Sequence, residues 1–363
     1  MKIVIDATTL TINNGGVSSY LRGLLEEFNY SSNQIETLLP PKINIPVKFL
    51  AKKAQTLYRE LYWQQRILPK AYTKHNGDIL FSPSHLITIQ KGIKKVVTFH
   101  DMYIMRNPKS FRKWHALYSN YIYPKIFESD AYFIAISEFT KMEILNYFPK
   151  CSDRIRVVKS AISREFREIV DQSYLDRIKL KYNLPSEFIL TVGSLEPRKN
   201  IISILKLYDR IESNELPMLV LVSPDGWNNQ HEIDIIRRLI TKKKMIWLTD
   251  IIRDELIALY NLALIFLYPS LYEGFGMPPM EAMACKCPVI TSNNSSLTEY
   301  YSDSALLLNN PLSIDELGFN LSKILNDRNL SISLIEKGYN NALKYSFSRT
   351  AEETFSYFNE IVG

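Results

Sequence analysis

The apolar run Leu264-Ile-Phe-Leu-Tyr-Pro269, followed shortly by Glu273-Gly-Phe-Gly-Met-Pro-Pro-Met-Glu281-Ala-Met-Ala284, decides how this chain is read. The run is short, apolar and closed by a proline, the pattern of a buried strand. Pro278 and Pro279 stand where a helix opens, because proline's fixed φ and missing N–H suit a first turn. The stretch therefore predicts a strand, a glycine-containing loop and a helix, with a carboxylate on each side of the turn. Backbone N–H groups at such a helix start bind anions, so the two carboxylates need a different task.

The segments around it repeat the alternation. Phe188-Ile-Leu-Thr-Val-Gly-Ser194 predicts a strand, Leu195-Glu-Pro-Arg-Lys-Asn200 a loop, and a helix starts at Ile201. Arg198 offers a planar fork and Lys199 a point charge, a pair suited to a diphosphate; surface salt bridges are the plainer alternative. Leu219–Val222, Met245–Leu248, Cys287–Ile290 and Ala305–Leu308 predict further strands, with helices over Glu232–Ile240 and Glu255–Tyr260.

The first half opens in the same way. Lys2-Ile-Val-Ile-Asp6 is a strand, and Asn13-Asn-Gly-Gly-Val-Ser-Ser-Tyr20 turns into a helix with Val17, Tyr20, Leu21, Leu24, Leu25 and Phe28 on one face. Gly15 and Gly16 would let the backbone approach a phosphate or sugar, or they simply make a tight turn. Asp78–Pro83, Lys94–Asp101 and Ala131–Ser137 add strands, and Ser137 caps the helix after it. His100 lies at a strand's carboxyl end, where open parallel sheets bind ligands. A histidine hydrogen-bonded within its own loop fits that position equally. The charged, strand-free stretch from Arg164 to Pro185 marks a domain junction, giving domains 1–168 and 169–346 and a terminal amphipathic helix.

At 363 residues the chain exceeds one ordinary core, and 46% hydrophobic with 23% charged residues describes a globular protein. Asp6 interrupts what would be a leader's apolar core, so no export signal is expected, nor does any run reach the roughly 18–20 apolar residues of a membrane span. Cys151, Cys285 and Cys287 form no disulfide framework or metal-ligand set, which points to a reducing, cytoplasmic compartment. Residues 1–150 carry 20 Lys/Arg against 11 Asp/Glu, while the remainder carries 24 against 27. The basic half invites an anionic partner. Its densest part, residues 42–74, sets Lys52, Lys53, Arg59, Arg66 and Lys70 around Leu50, Ala54, Leu57, Leu61, Leu68 and Tyr72 at helical spacing. That helix would lie on an anionic membrane or pack on its own sheet.

With these motifs in order, the chain resembles the retaining glycosyltransferases of family 4, an α/β family with the GT-B fold of two Rossmann-like domains facing across a cleft. The resemblance rests on the Glu273–Glu281 stretch, Val192–Asn200, Asn14–Tyr20, Phe99-His-Asp101 and Ala135–Lys141. It implies a nucleotide-diphospho-sugar donor, GDP-mannose first and a UDP-sugar second, and a glycan or lipid-linked acceptor in surface polysaccharide or O-antigen synthesis. Arg198 and Lys199 would neutralise the diphosphate, Glu281 would bind the ribose and Glu273 the donor sugar. Phe275, Gly276 and Met277 would present backbone to sugar and phosphate, beside Gly193. Gly15 and Gly16 would approach the diphosphate from the first domain, and His100 would touch the sugar. The helix 347–363 would cross back onto the first domain.

No Asp-x-Asp pair occurs, so neither metal nor cofactor is expected. Attack from the leaving-group face, with the departing phosphate as base, follows from the same resemblance. Ser223-Pro224, Thr249-Asp250 and Lys286 depart from common glycines, the first two near where the base would be read. A non-catalytic nucleotide-sugar-binding subunit is the alternative. The missing G-x-G-x-x-G disfavours a dehydrogenase. No nucleic acid is implied.

Overall fold

Two parallel sheets of six strands organise the chain, seen in a computed structural model that describes residues 1–11, 15–41, 58–211, 215–224 and 230–363, with backbone only at Glu60. They belong to separate compact units, Met1–Ser163 with Ser346–Gly363, and Arg164–Tyr345. The division falls at Arg164, slightly ahead of the expected 168/169 boundary, because Glu165 pairs with Arg253 and Glu168 with Lys286 of the second unit.

In the first unit, β1 (Lys2–Asp6), β2 (Gln34–Leu38), β3 (Ile79–Ser82), β4 (Lys95–Phe99), β5 (Tyr132–Ala135) and β6 (Ile155–Val157) are ordered β2-β1-β3-β4-β5-β6. β3 and β4 are buried along their whole length, the mark of a parallel sheet covered on both faces. Alternate residues feed two cores. Val4, Leu80, Val97 and Phe133 meet Tyr123 and Phe127 of the Lys113–Glu128 helix on one side. Ile3, Ile5, Phe81 and Ile134 meet the Gly16–Phe28 helix and the terminal Phe347–Val362 helix on the other. Phe358 stands 5.2 Å from Phe81 and Phe355 4.4 Å from Phe28, ring to ring. A Cβ on Gly23 would lie 2.2 Å from the Phe347 ring, so only glycine lets these two helices meet.

The basic helix departs from its expected face. It is described from Tyr58, is π-helical through Ile67 and α-helical over Leu68–Lys74. Wider π turns rotate the face away from a 3.6-residue wheel. Leu61 is therefore exposed at 49%, whereas Trp63 and Gln64 turn inward and donate to buried Asp6 at 3.1 and 2.5 Å. Leu50, Lys52, Lys53, Ala54 and Leu57 lie outside the described residues; Arg66 and Lys70 are exposed and Arg59 half-buried. No helix among the described residues is long and apolar enough to cross a membrane.

In the second unit, β7 (Phe188–Val192), β8 (Met218–Val222), β9 (Met245–Leu248), β10 (Ile265–Tyr268), β11 (Val289–Ser292) and β12 (Leu306–Leu308) are ordered β12-β11-β10-β7-β8-β9. The order reverses between β7 and β10, which pair through Ile189–Ile265 and Leu190–Phe266. Loops leaving adjacent strands at such a reversal diverge and open a crevice at the carboxyl ends.

Candidate active site

The loops after β7 and β10 meet at that reversal and are tied by backbone. Leu271 N–H donates to Arg198 C=O at 2.7 Å. Asn200, left-handed at φ 53 and buried, donates from Nδ2 to Pro269 O at 3.1 Å and Pro311 O at 2.7 Å. Asparagine tolerates that conformation and here uses its side chain as the brace. These ties set Arg198 and Lys199 beside Glu273.

Glu273 is 6% exposed and collects four side-chain donors. Lys199 Nζ at 2.6 Å, Ser270 Oγ at 2.7 Å and Tyr268 Oη at 2.8 Å reach Oε1, while Arg198 Nη1 reaches Oε2 at 3.2 Å. Burial pushes this carboxyl up, but Lys199 and Arg198 outweigh it and hold it at about 2. Burial pushes the Lys199 ammonium down, and Glu273 opposes that shift. Arg198 Nε also meets Glu196 at 3.0 Å, so two cations and two carboxylates form a neutral cluster. A carboxylate this saturated and this weakly basic is suited to holding cations, not to taking a proton.

The turn after Glu273 is fixed separately. Glu273 N–H donates to Ser295 Oγ at 3.1 Å, and Ser296 Oγ donates to Glu273 O at 2.8 Å. Gly276 caps the Met277–Ala284 helix at φ 81, and Tyr301 Oη donates to its carbonyl at 2.5 Å. A Cβ there would stand 2.6 Å from Leu297, so conformation and space both require glycine. The cap has no side chain, leaving the helix start to present Phe275, Gly276 and Met277 backbone. Glu281 follows on the helix, half-buried, with Tyr260 Oη donating to it at 3.1 Å. Burial raises this carboxyl to about 7, the reverse of Glu273. Gly193 follows β7, and its N–H donates to Val222 O at 3.0 Å.

The remaining candidates belong to the first unit. A Cβ on Gly15 would meet nothing within 4 Å, and Gly16 starts its helix. His100 Nε2 lies 2.8 Å from Pro83 O, which can only accept, so Nε2 carries the proton and Nδ1 is the ring's acceptor. Burial lowers its pKa, favouring the neutral ring, whose edge meets Tyr20 at 4.9 Å. Asp6 joins this strand-end region as a buried acceptor that the sequence reading missed. Among the described residues no three His, Cys, Asp or Glu gather as a metal-ligand set.

Residues 175–341 match the family profile "Glycosyl transferases group 1". The chain is 31% identical over 284 residues to the serotype-specific mannosyltransferase WbdA of Escherichia coli, covering 74% of this chain and 34% of that protein. The second unit carries the group 1 glycosyltransferase domain. A second relative of this group, the O-antigen chain mannosyltransferase B of Escherichia coli, is 29% identical over 268 residues, 73% of this chain and 70% of that one. The aligned region thus spans about a third of WbdA and more than two thirds of the shorter relative. Among solved structures, a sucrose-phosphate synthase from Thermosynechococcus elongatus superposes with TM-score 0.77 at 17% identity over 99% of both chains. WaaG, a glycosyltransferase involved in lipopolysaccharide biosynthesis, does so with TM-score 0.70 at 16% identity over 100% of both. At such identities the likeness speaks for the fold, and two parallel six-stranded α/β units are those of GT-B.

The structure adds a pairing that the sequence reading did not state: Arg198 and Lys199 are both paired with Glu273. The cause is burial, since a carboxylate this enclosed requires compensating charge. Glu196, Tyr268, Ser270, Tyr260 and Tyr301 complete the site and were missed. The tyrosines read as core aromatics, and Glu196 as an ordinary loop acid.

Proposed function

We propose that the chain transfers a sugar, with mannose the first expectation, from a nucleotide-diphospho-sugar to a glycan or lipid-linked acceptor in surface polysaccharide or O-antigen biosynthesis at the cytoplasmic face of a membrane. The Arg198–Lys199–Glu273 cluster at the β7/β10 reversal carries this reading, and the names of the two mannosyltransferase relatives support the sugar. A departing nucleoside diphosphate gains negative charge, and preorganised cations in a shielded site stabilise it without reorganising at the moment of reaction. Glu273 holds them in place; Arg198, with 21% of its side chain exposed against 13% for Lys199, is the more accessible to an incoming phosphate. These cations do the electrostatic work a metal does elsewhere, so we infer a metal-independent reaction. The Met277–Ala284 helix start adds backbone dipole to the same anion, and the Glu281 carboxylate accepts the ribose hydroxyls.

A carboxyl held near 2 and enclosed by four donors is poorly placed to attack an anomeric carbon or to take a proton. That favours the family-4 route, in which the acceptor hydroxyl attacks from the leaving-group face and passes its proton to the departing phosphate oxygen, so configuration is retained.

A thermal-shift panel of GDP, UDP, dTDP and CMP with their sugars identifies the donor, since a ligand well above its Kd stabilises the folded chain. GDP-mannose is expected to give the largest shift and to support transfer. Arg198→Ala is expected to lower kcat by about 10²–10³ with the fold retained. Nucleotide binding without transfer to any acceptor would favour the non-catalytic subunit, and silence across the panel would overturn both.

A further inference from the structure

The Lys113–Glu128 helix turns one face into the core of the first unit, where Ile122, Tyr123, Ile126 and Phe127 are buried. Its other face carries Trp114, Leu117 and Tyr121, exposed at 47%, 67% and 59%. Their i, i+3, i+7 spacing places them in a single stripe along the helix. Trp114 is stacked on buried Tyr118 at 5.9 Å and 21°, and Lys125 lies 3.8 Å over the Tyr121 ring. Two large aromatics and a leucine are thus held in the open by packing.

The stretch around the stripe is basic, Glu128 at the last position being the helix's one acid. From Met102 to Phe127 the chain has Arg106, Lys109, Arg112, Lys113 and Lys125 and no Asp or Glu. Lys109, Arg112 and Lys113 are exposed at one end of the stripe, with Lys125 toward the other. Protein interfaces are depleted of lysine, whereas a bilayer surface rewards this composition. Indole and phenol rings settle at the headgroup level, and lysine stems lie along apolar surface with the ammonium at lipid phosphates.

We propose that this helix seats the chain on an anionic bilayer, with Trp114, Leu117 and Tyr121 entering the headgroup–acyl boundary and Lys109, Arg112, Lys113 and Lys125 meeting lipid phosphates. This moves the membrane contact away from the 42–74 segment, where basic residues first suggested it. It is independent of donor chemistry.

Flotation of the whole chain with vesicles of phosphatidylcholine, alone or mixed with phosphatidylglycerol, tests it. The chain should float with the anionic vesicles, less at high salt, and not with phosphatidylcholine alone. Trp114→Ala should weaken binding about tenfold. The triple Trp114→Ala, Leu117→Ala, Tyr121→Ala variant should remain unbound while melting like the parent, and Arg66→Glu with Lys70→Glu should still bind. The proposal fails if the parent does not float or if the triple variant floats equally well. It also fails if only the Arg66/Lys70 variant is lost, or if the triple variant changes self-association and nothing else.

Discussion

Glu273 and Glu281 stand eight positions apart on either side of one turn, yet their surroundings push their protonation in opposite directions. Glu281, raised from 4.5 to about 7 by burial, is the side chain whose state changes near neutrality. Its folded value exceeds its unfolded one, so its contribution to stability is complete below about 4.5 and is lost as pH rises through about 7. Glu281→Gln should therefore raise the melting temperature relative to the parent more at pH 8 than at pH 5. If the carboxylate binds ribose, nucleoside diphosphate affinity should instead rise from pH 6 to pH 8 in the parent and stay flat in Glu281→Gln. Titration calorimetry across that window decides, and a flat parent profile would remove Glu281 from the ribose. The sequence made both glutamates legible because they flank a strand–turn–helix. It did not disclose that Glu273 is the counter-ion of Arg198 and Lys199, since that pairing joins loops more than 70 positions apart.

At the scale of elements, the Gly276 turn joins β10 to the helix carrying Glu281. Adding a Cβ there imposes a left-handed penalty and a 2.6 Å approach to Leu297. Gly276→Ala should cost about 3 kcal/mol and lower the melting temperature of the second unit by roughly 6–12 °C. Tyr301→Phe, which removes only the hydroxyl on Gly276 O, should cost about 1 kcal/mol. Equal stability of Gly276→Ala and parent would show that the turn relaxes freely. Most strands of both sheets were legible as short apolar runs; β2 was not, because Gln34-Ile-Glu-Thr-Leu38 is polar at alternate positions and lies at a sheet edge, nor was β6, whose Ile155–Val157 is only three residues long. The basic helix was legible as a helix but not as to its face, because π turns do not announce themselves in residue spacing. The Lys113–Glu128 helix escaped because Trp114, Leu117 and Tyr121 mingle with its buried aromatics and blur any amphipathic stripe.

At the scale of the molecule, two parallel sheets followed from two runs of alternating strand and helix patterns. The sequence places the junction only to within a few residues, since Arg164–Pro185 carries no strand to anchor it. The terminal helix packs wholly within the first unit, and Gly23 is where that packing is tightest. Gly23→Ala, with its Cβ 2.2 Å from Phe347, should cost about 1–3 kcal/mol. Hydrogen exchange should then quicken in β1 and β3 while β7 and β10 keep their protection; uniform or unchanged exchange would contradict the division into units. The same helix has a consequence for synthesis. Ser346–Gly363 leaves the ribosome only after all of Arg164–Tyr345, so the face of Ile3, Ile5, Phe81 and Ile134 waits for its cover through 182 residues of translation. At roughly 5–20 residues per second the wait is about 10–40 s. The unit begun first therefore closes only after the second has been made, and in the interval the Gly16–Phe28 helix alone shields that face of its sheet.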